Sequence, residues 1–138
     1  MLPKRILFIL VFCLGLPLIA AVATGAQSDG TVPSGFIARP ESPMNWKNAV
    51  AYCQQQGGRL PLINGSAALR TVPNGATIEG FGTNGGPWPS GLYGRNHWTG
   101  TEYIPGKTWT AFARGGKVAI SDGNQDNRSV VYTICVPK

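Results

Sequence analysis

The side chains that most often do acid–base or metal chemistry are few in this chain: one histidine, six carboxylates and three cysteines. An enzyme needs a pair or a triad of groups whose pKa values are tuned to one another. His97 stands alone, next to Trp98 at the start of a predicted strand, where a structural or rim role is expected. The acids Asp29, Glu41, Glu79, Glu102, Asp122 and Asp126 fall in six separate segments. Zinc would need three or four His, Cys or carboxylate ligands, and the residues do not supply them. The glycine-rich stretches at 80–86 and 115–116 do not lie between a strand and a helix, so they do not read as phosphate loops. Basic residues are scattered, with none of the clustering that a nucleic-acid surface requires. No internal repeat is visible. The residues therefore point away from catalysis, cofactors and nucleic acid.

The N-terminus is what the chain has in excess of an ordinary domain. Lys4 and Arg5 precede an uncharged apolar stretch at 6–23, and Ala21-Val22-Ala23 matches a small-x-small cleavage pattern. Thr24-Gly25-Ala26 offers a slightly later cut. Pro17 interrupts the apolar run, which speaks against a membrane anchor. Residues 1–26 are expected to be a signal peptide. The protein is then exported, to the medium, the cell surface or the periplasm, with no membrane span after cleavage. Ten basic residues remain against six acids, a charge of +4. Cys13 leaves with the leader, and the even pair Cys53 and Cys135 has one intramolecular pairing. In the chain-entropy view, closing that long loop stabilises the fold by about 4.5 kcal/mol.

Residues 27–42 read as a flexible lead-in, with a first strand at 35–38. A helix is predicted over 43–56. Ser42 caps it, Pro43 takes the first helical position, and Trp46, Ala49, Val50 and Cys53 form its apolar stripe. Gly57-Gly58 stops it. An extended piece at 59–62 enters the core, and a second, shorter helix is expected at 66–70. Residues 71–97 hold seven glycines and three prolines and read as loop. Strands follow at 97–103, 108–114 and 117–120, with a tight Gly115-Gly116 turn. A polar loop occupies 121–127, and a last strand 129–136.

Three tryptophans, Trp46, Trp98 and Trp109, fall at core positions. Trp88 and Tyr93 lie in the irregular loop, followed by Arg95, Asn96 and His97. Trp, Tyr and Arg dominate binding hot spots, so these five residues are the expected contact face. The alternative for Trp88 is that it folds back and plugs the loop. Asp122, Asn124 and Asp126, with Asn127, have oxygen-rich spacing, but neither an EF-hand glycine nor a closing glutamate accompanies them. They read as a turn-rich loop, and no metal is expected. Asn64-Gly65-Ser66 and Asn127-Arg128-Ser129 match the glycosylation sequon.

The order of these features resembles a known arrangement. Trp46-x-x-Ala49-x-x-Tyr52-Cys53, Gly58-Arg59-Leu60-Pro61, Trp98-Thr99-Gly100-Thr101, Trp109 and Tyr132-Thr133-Ile134-Cys135-Val136 are similar to the C-type lectin-like fold, and within it to the tips of bacterial invasin- and intimin-type adhesins. The likeness covers residues 43–137 of a domain placed at 43–138. It implies an α+β fold with two helices, small twisted antiparallel sheets and a long irregular loop region. Calcium-dependent sugar binding in that family uses a Glu-Pro-Asn or Gln-Pro-Asp tripeptide and a later Trp-Asn-Asp, and this sequence has neither. Gly86-Pro87-Trp88-Pro89-Ser90 lacks the flanking ligands. The resemblance thus implies calcium-independent recognition of a protein, in adhesion or host interaction. The partner would be a host-surface receptor or a separate outer-membrane carrier, since neither barrel nor stalk accompanies the domain here. A carbohydrate-binding module using the loop aromatics, and a periplasmic inhibitor or structural protein, are the alternatives.

Overall fold

A computed structural model describes residues 32–128 and 130–138. The leader expected at 1–26, Cys13 and the first part of the lead-in lie outside the described residues. The architecture is mixed: one helix with three small antiparallel sheets. The helix α1 (Trp46–Gln55) begins later than the sequence suggests. Asn45, not Ser42, is its cap, and its side chain accepts from Asn48 N at 2.9 Å. The reason lies in long-range hydrogen bonds. Met44 N donates to Val131 O, and Met44 O accepts from the Trp98 indole at 2.7 Å. Those bonds take the backbone groups that another helical turn would need. Gly57, at φ 78°, ends the helix in the left-handed region as expected.

The strand β1 (Gly58–Arg59) pairs antiparallel with β7 (Val136–Pro137), with Gly58 opposite Pro137. Gly58 is required there: a Cβ would lie 2.4 Å from Val136 O. Within the stretch read as loop, β2 (Thr77–Ile78) and β3 (Gly82–Thr83) make a minimal hairpin. The main sheet runs β4 (His97–Ile104), β5 (Lys107–Arg114) and β6 (Lys117–Asn124). Gly115 and Gly116 both adopt positive φ, 57° and 74°, in the β5–β6 turn, which suits a two-residue hairpin.

Four sequence expectations need correction. The second helix at 66–70 does not form, so the fold has one helix among the described residues and not two. Leu69 N donates to Glu102 O and Glu102 N to Ala67 O, so this segment covers the edge of β4 instead. So short a helix has little stability of its own. The expected polar loop at 121–127 is in part strand: Ser121, Asp122, Gly123 and Asn124 continue β6 opposite Thr110, Trp109, Thr108 and Lys107. The last strand is regular only at Val136–Pro137. Residues before it are held by single bridges, His97 to Tyr132 and Ala38 to Cys135. The lead strand at 35–38 is likewise reduced to its bridge at Ala38.

Two apolar clusters form the core. Phe36, Ile63, Ile78, Phe81, Val118 and Ile134 anchor one; Ala49, Cys53, Leu60, Trp98 and Cys135 anchor the other. Trp98 is wholly buried, and Trp46 and Trp109 are half-buried against these clusters. Buried threonines stitch irregular segments to the main sheet. Thr101 Oγ1 donates to Ser66 O at 2.7 Å and accepts from Ile63 N at 2.9 Å. Thr108 Oγ1 accepts from Gln125 Nε2 at 2.8 Å. Each such bond satisfies a group that would be costly to bury unpaired.

Cys53 and Cys135 are joined, with their Cα atoms 5.4 Å apart. The bond ties α1 to the segment entering β7. Elsewhere Arg59 and Glu79 form a two-pronged ion pair, whose carboxylate also accepts from Leu62 N at 2.9 Å. The guanidinium contact and the Leu62 amide hold the Glu79 carboxyl below its usual pKa, against the opposing effect of partial burial.

Replacing both cysteines by serine is expected to cost about 4 kcal/mol of unfolding free energy in urea titration, with a steeper denaturant dependence as the unfolded chain expands. A change below about 1 kcal/mol would show that the bond does not constrain the unfolded ensemble. Glu79→Ala is expected to cost about 1.5 kcal/mol in the same assay, because Leu62 N–H loses its acceptor.

Candidate functional site

The loop residues singled out in the sequence do converge, but in two layers. Trp88 belongs to the lower layer. Its backbone N–H donates to Gly116 O at 2.9 Å, which draws the loop onto the β5–β6 turn. Its indole donates to Leu92 O at 3.1 Å, and its ring lies 5.3 Å from Phe81 and 5.9 Å from His97, centroid to centroid. Trp88 therefore folds back and closes the loop on itself, half-buried against the core.

His97 lies beside it and is 4% exposed. It is packed among Phe81, Trp88 and Tyr132 and is not presented on the surface. Nδ1 is 2.7 Å from Arg95 O. A carbonyl can only accept, so Nδ1 carries the hydrogen. Burial, opposed by that hydrogen bond and assisted by the positive charge of Arg39, pushes the pKa down to about 4 from 6.5. The imidazole is thus a neutral, oriented ring.

The upper layer is exposed. Tyr93 is 57% exposed, and the Arg39 guanidinium sits 5.4 Å above the centre of its ring. Arg39 is steadied from below by donating to Gly91 O at 3.1 Å. Arg95 lies 5.1 Å over the Tyr132 ring and donates to the Tyr132 hydroxyl. Asn96 holds Tyr132 in place: Asn96 O accepts from Tyr132 N at 2.7 Å. The result is a pair of arginine–tyrosine stacks, Arg39 on Tyr93 and Arg95 on Tyr132.

Two cavities share Arg95 and Tyr132 in their walls. One, of about 280 Å³, is lined by Glu41, Tyr93, Arg95 and Tyr132. The other, of about 340 Å³, is lined by Arg95, Asn96, Val130 and Tyr132. Val130 is 54% exposed, an apolar side chain at the rim of a polar face. A small cavity of about 20 Å³, with His97 and Thr133 in its lining, shares Glu41, Tyr93 and Tyr132 with the first. Of these residues, sequence reading had named Tyr93, Arg95, Asn96 and His97. It missed Arg39, Glu41, Val130 and Tyr132. Tyr132 was absorbed into the last strand and Arg39 into the scatter of basic residues, and nothing local marks either one. The bridge of Tyr132 to His97 brings the one here, and the bridge of Ala38 to Cys135 brings the other.

The oxygen-rich segment lies elsewhere and is engaged in structure. Asp122 pairs with Lys107 at 3.4 Å. Asn124 Oδ1 accepts from Asp126 N at 3.0 Å, and Asn124 O from Asn127 N at 3.0 Å. Between them Gln125 docks the turn, with Trp46 N donating to Gln125 O at 2.9 Å. Among the described residues no three His, Cys, Asp or Glu side chains are grouped to hold a metal ion. A further cavity, of about 350 Å³, lies along Leu69, Arg70, Tyr103 and Ile104 and shares no residue with the Tyr93–Tyr132 face. Among the described residues no helix is long and apolar enough to cross a membrane. No family model, no curated protein and no solved structure matches the chain.

The buried imidazole gives the fold a pH signature. In the unfolded chain His97 titrates near 6.5, and in the folded chain near 4. Between those values the unfolded state binds more protons, so stability rises with pH there. The contribution is complete above 6.5 and is lost as pH falls toward 4. Its size is on the order of 3 kcal/mol. Urea unfolding across that range is expected to show this decline in the natural protein and a flatter profile in His97→Gln. Equal slopes in the two proteins would mean that His97 is not the group responsible.

Proposed function

We propose that this chain is an exported, non-enzymatic binding protein of C-type lectin-like fold that recognises a protein partner without calcium. Its contact surface is the face built from Arg39, Tyr93, Arg95, Val130 and Tyr132. The observation that carries this reading is the paired arginine–tyrosine stacking around open cavities. Tyrosine and arginine supply most of the free energy at protein interfaces, because each presents a large area and a polar end at modest cost in freedom. Here each guanidinium is already laid on a ring, so less motion remains to be lost when a partner arrives. Trp88 and His97 support the face from beneath and shape it without touching the partner.

The adhesin-like features of the sequence extend the reading. The partner is a host-surface receptor or a separate carrier in the outer membrane, and the protein works at the cell surface or in the medium. The formal charge of +4 beyond residue 26 favours partners with an acidic surface.

The test is retention of proteins from host-cell membranes and from envelope extracts on the immobilised exported chain, with a chelator present. The natural protein is expected to hold a defined partner, and Tyr93→Ala/Arg95→Ala to hold it at least about tenfold more weakly. Far-ultraviolet circular dichroism establishes that the variant is folded. Binding that needs calcium, or binding seen only on a glycan array, overturns the reading. So does full retention by the folded double variant.

A further inference from the structure

Arg95 is held in place without a carboxylate. Arg95 takes part in neither the Arg59–Glu79 nor the Lys107–Asp122 ion pair. Arg95 donates to the Tyr132 hydroxyl and has its Cζ 5.1 Å from the centre of that ring. A guanidinium carries five donors in a planar fork, so the contact with one hydroxyl leaves most of them available. The fork matches a carboxylate in bidentate fashion, and such pairs are the stronger class of hydrogen bond. Arg39, stacked on Tyr93, brings a second positive charge to the adjoining cavity wall.

A second observation comes from below. Thr133 is 2% exposed, and its hydroxyl has no hydrogen-bond partner among the described residues. Thr133 lines the cavity of about 20 Å³ that shares Glu41, Tyr93 and Tyr132 with the larger one. That volume suits one oxygen-sized group. Thr99, Thr101, Thr108 and Thr110 of the main sheet all spend their hydroxyls, on Trp109 O, Ser66 O, Gln125 and Ser121, whereas the buried Thr133 hydroxyl beside this cavity has no partner among the described residues.

We propose that the cleft between Tyr93 and Tyr132 recognises a carboxylate, presented by an aspartate or glutamate side chain of the protein partner. Arg95 grips it through two parallel N–H donors, Arg39 adds attraction, and the Thr133 hydroxyl meets an oxygen of the carboxylate or of the water it carries in. This inference rests on the protein-recognition reading above. Glu41 lines the same cleft and sets the sign of the test. It repels a carboxylate and would attract a cation.

The experiment pans a randomised short-peptide library on the immobilised exported chain, then measures the enriched peptides by fluorescence anisotropy. Enriched peptides are expected to share an acidic residue, whose exchange for its amide weakens binding about tenfold. Arg95→Gln is expected to cause the same loss, and the two changes together no more than either alone, as for groups in direct contact. Arg95→Lys should fall between, because it keeps the charge and loses the fork. Thr133→Val should weaken binding a few-fold without lowering the unfolding midpoint, and Glu41→Gln should strengthen it. Basic peptides that Glu41→Gln weakens overturn the proposal. So do strictly additive losses at Arg95 and the peptide acid. Peptides that depend on Tyr93 but carry no acid and ignore Arg95 overturn it while leaving protein recognition standing. A library that yields nothing weakened by Tyr93→Ala overturns both.

Discussion

Between Val131 and Val136 the backbone serves several segments that lie far apart in sequence. Val131 O accepts from Met44 at the helix entrance, and Tyr132 exchanges bonds with Asn96 and Trp98 at the start of β4. Cys135 exchanges bonds with Ile37 and Ala38 of the lead segment, and its sulfur is bonded to α1. Val136 then pairs with Arg59. A buried amide or carbonyl without a partner costs on the order of 1–3 kcal/mol. Each of these segments therefore depends on the same short stretch for its saturation. The shape of the candidate site follows from that dependence, because Tyr132, Thr133 and Val130 reach the surface loop only by way of this stretch.

The tryptophans are the second organising device. Each indole N–H donates to a main-chain carbonyl of a distant or irregular segment: Trp46 to Thr99, Trp98 to Met44, Trp109 to Leu69 and Trp88 to Leu92. An indole buries a large area and still offers one donor. In a chain with little regular structure, four such rings fasten loops that have no ladder of their own.

This explains which parts could be read from residues alone. The stripe of Trp46, Ala49 and Cys53, the Gly115-Gly116 turn and the strands around Trp98 and Trp109 are local signals, and the structure contains those elements. The cysteine pairing followed from counting. What escaped was set by partners distant in sequence: the start of the helix by Val131 and Trp98, the absence of a second helix by Glu102, the extension of β6 by β5. The same holds at the surface. Tyr93 and Arg95 were visible because they sit in a loop of unusual composition. Tyr132 and Arg39 look like ordinary strand and scattered charge until the bridges of Tyr132 to His97 and of Ala38 to Cys135 are known. Trp88 was open to two readings, and the ring contacts with Phe81 and His97 decide for the one in which it plugs the loop.

The segment 131–136 is also among the last parts of the described chain to be synthesised. The helix, the main sheet and the aromatic loop all precede it, and none has its full set of partners until it arrives. Folding that must wait for contacts between distant residues is slow. A nascent chain of this kind stays pliable until residues 131–136 have emerged. The consequence is kinetic: a polypeptide whose core waits on residues 131–136 commits to its shape only after they have been made.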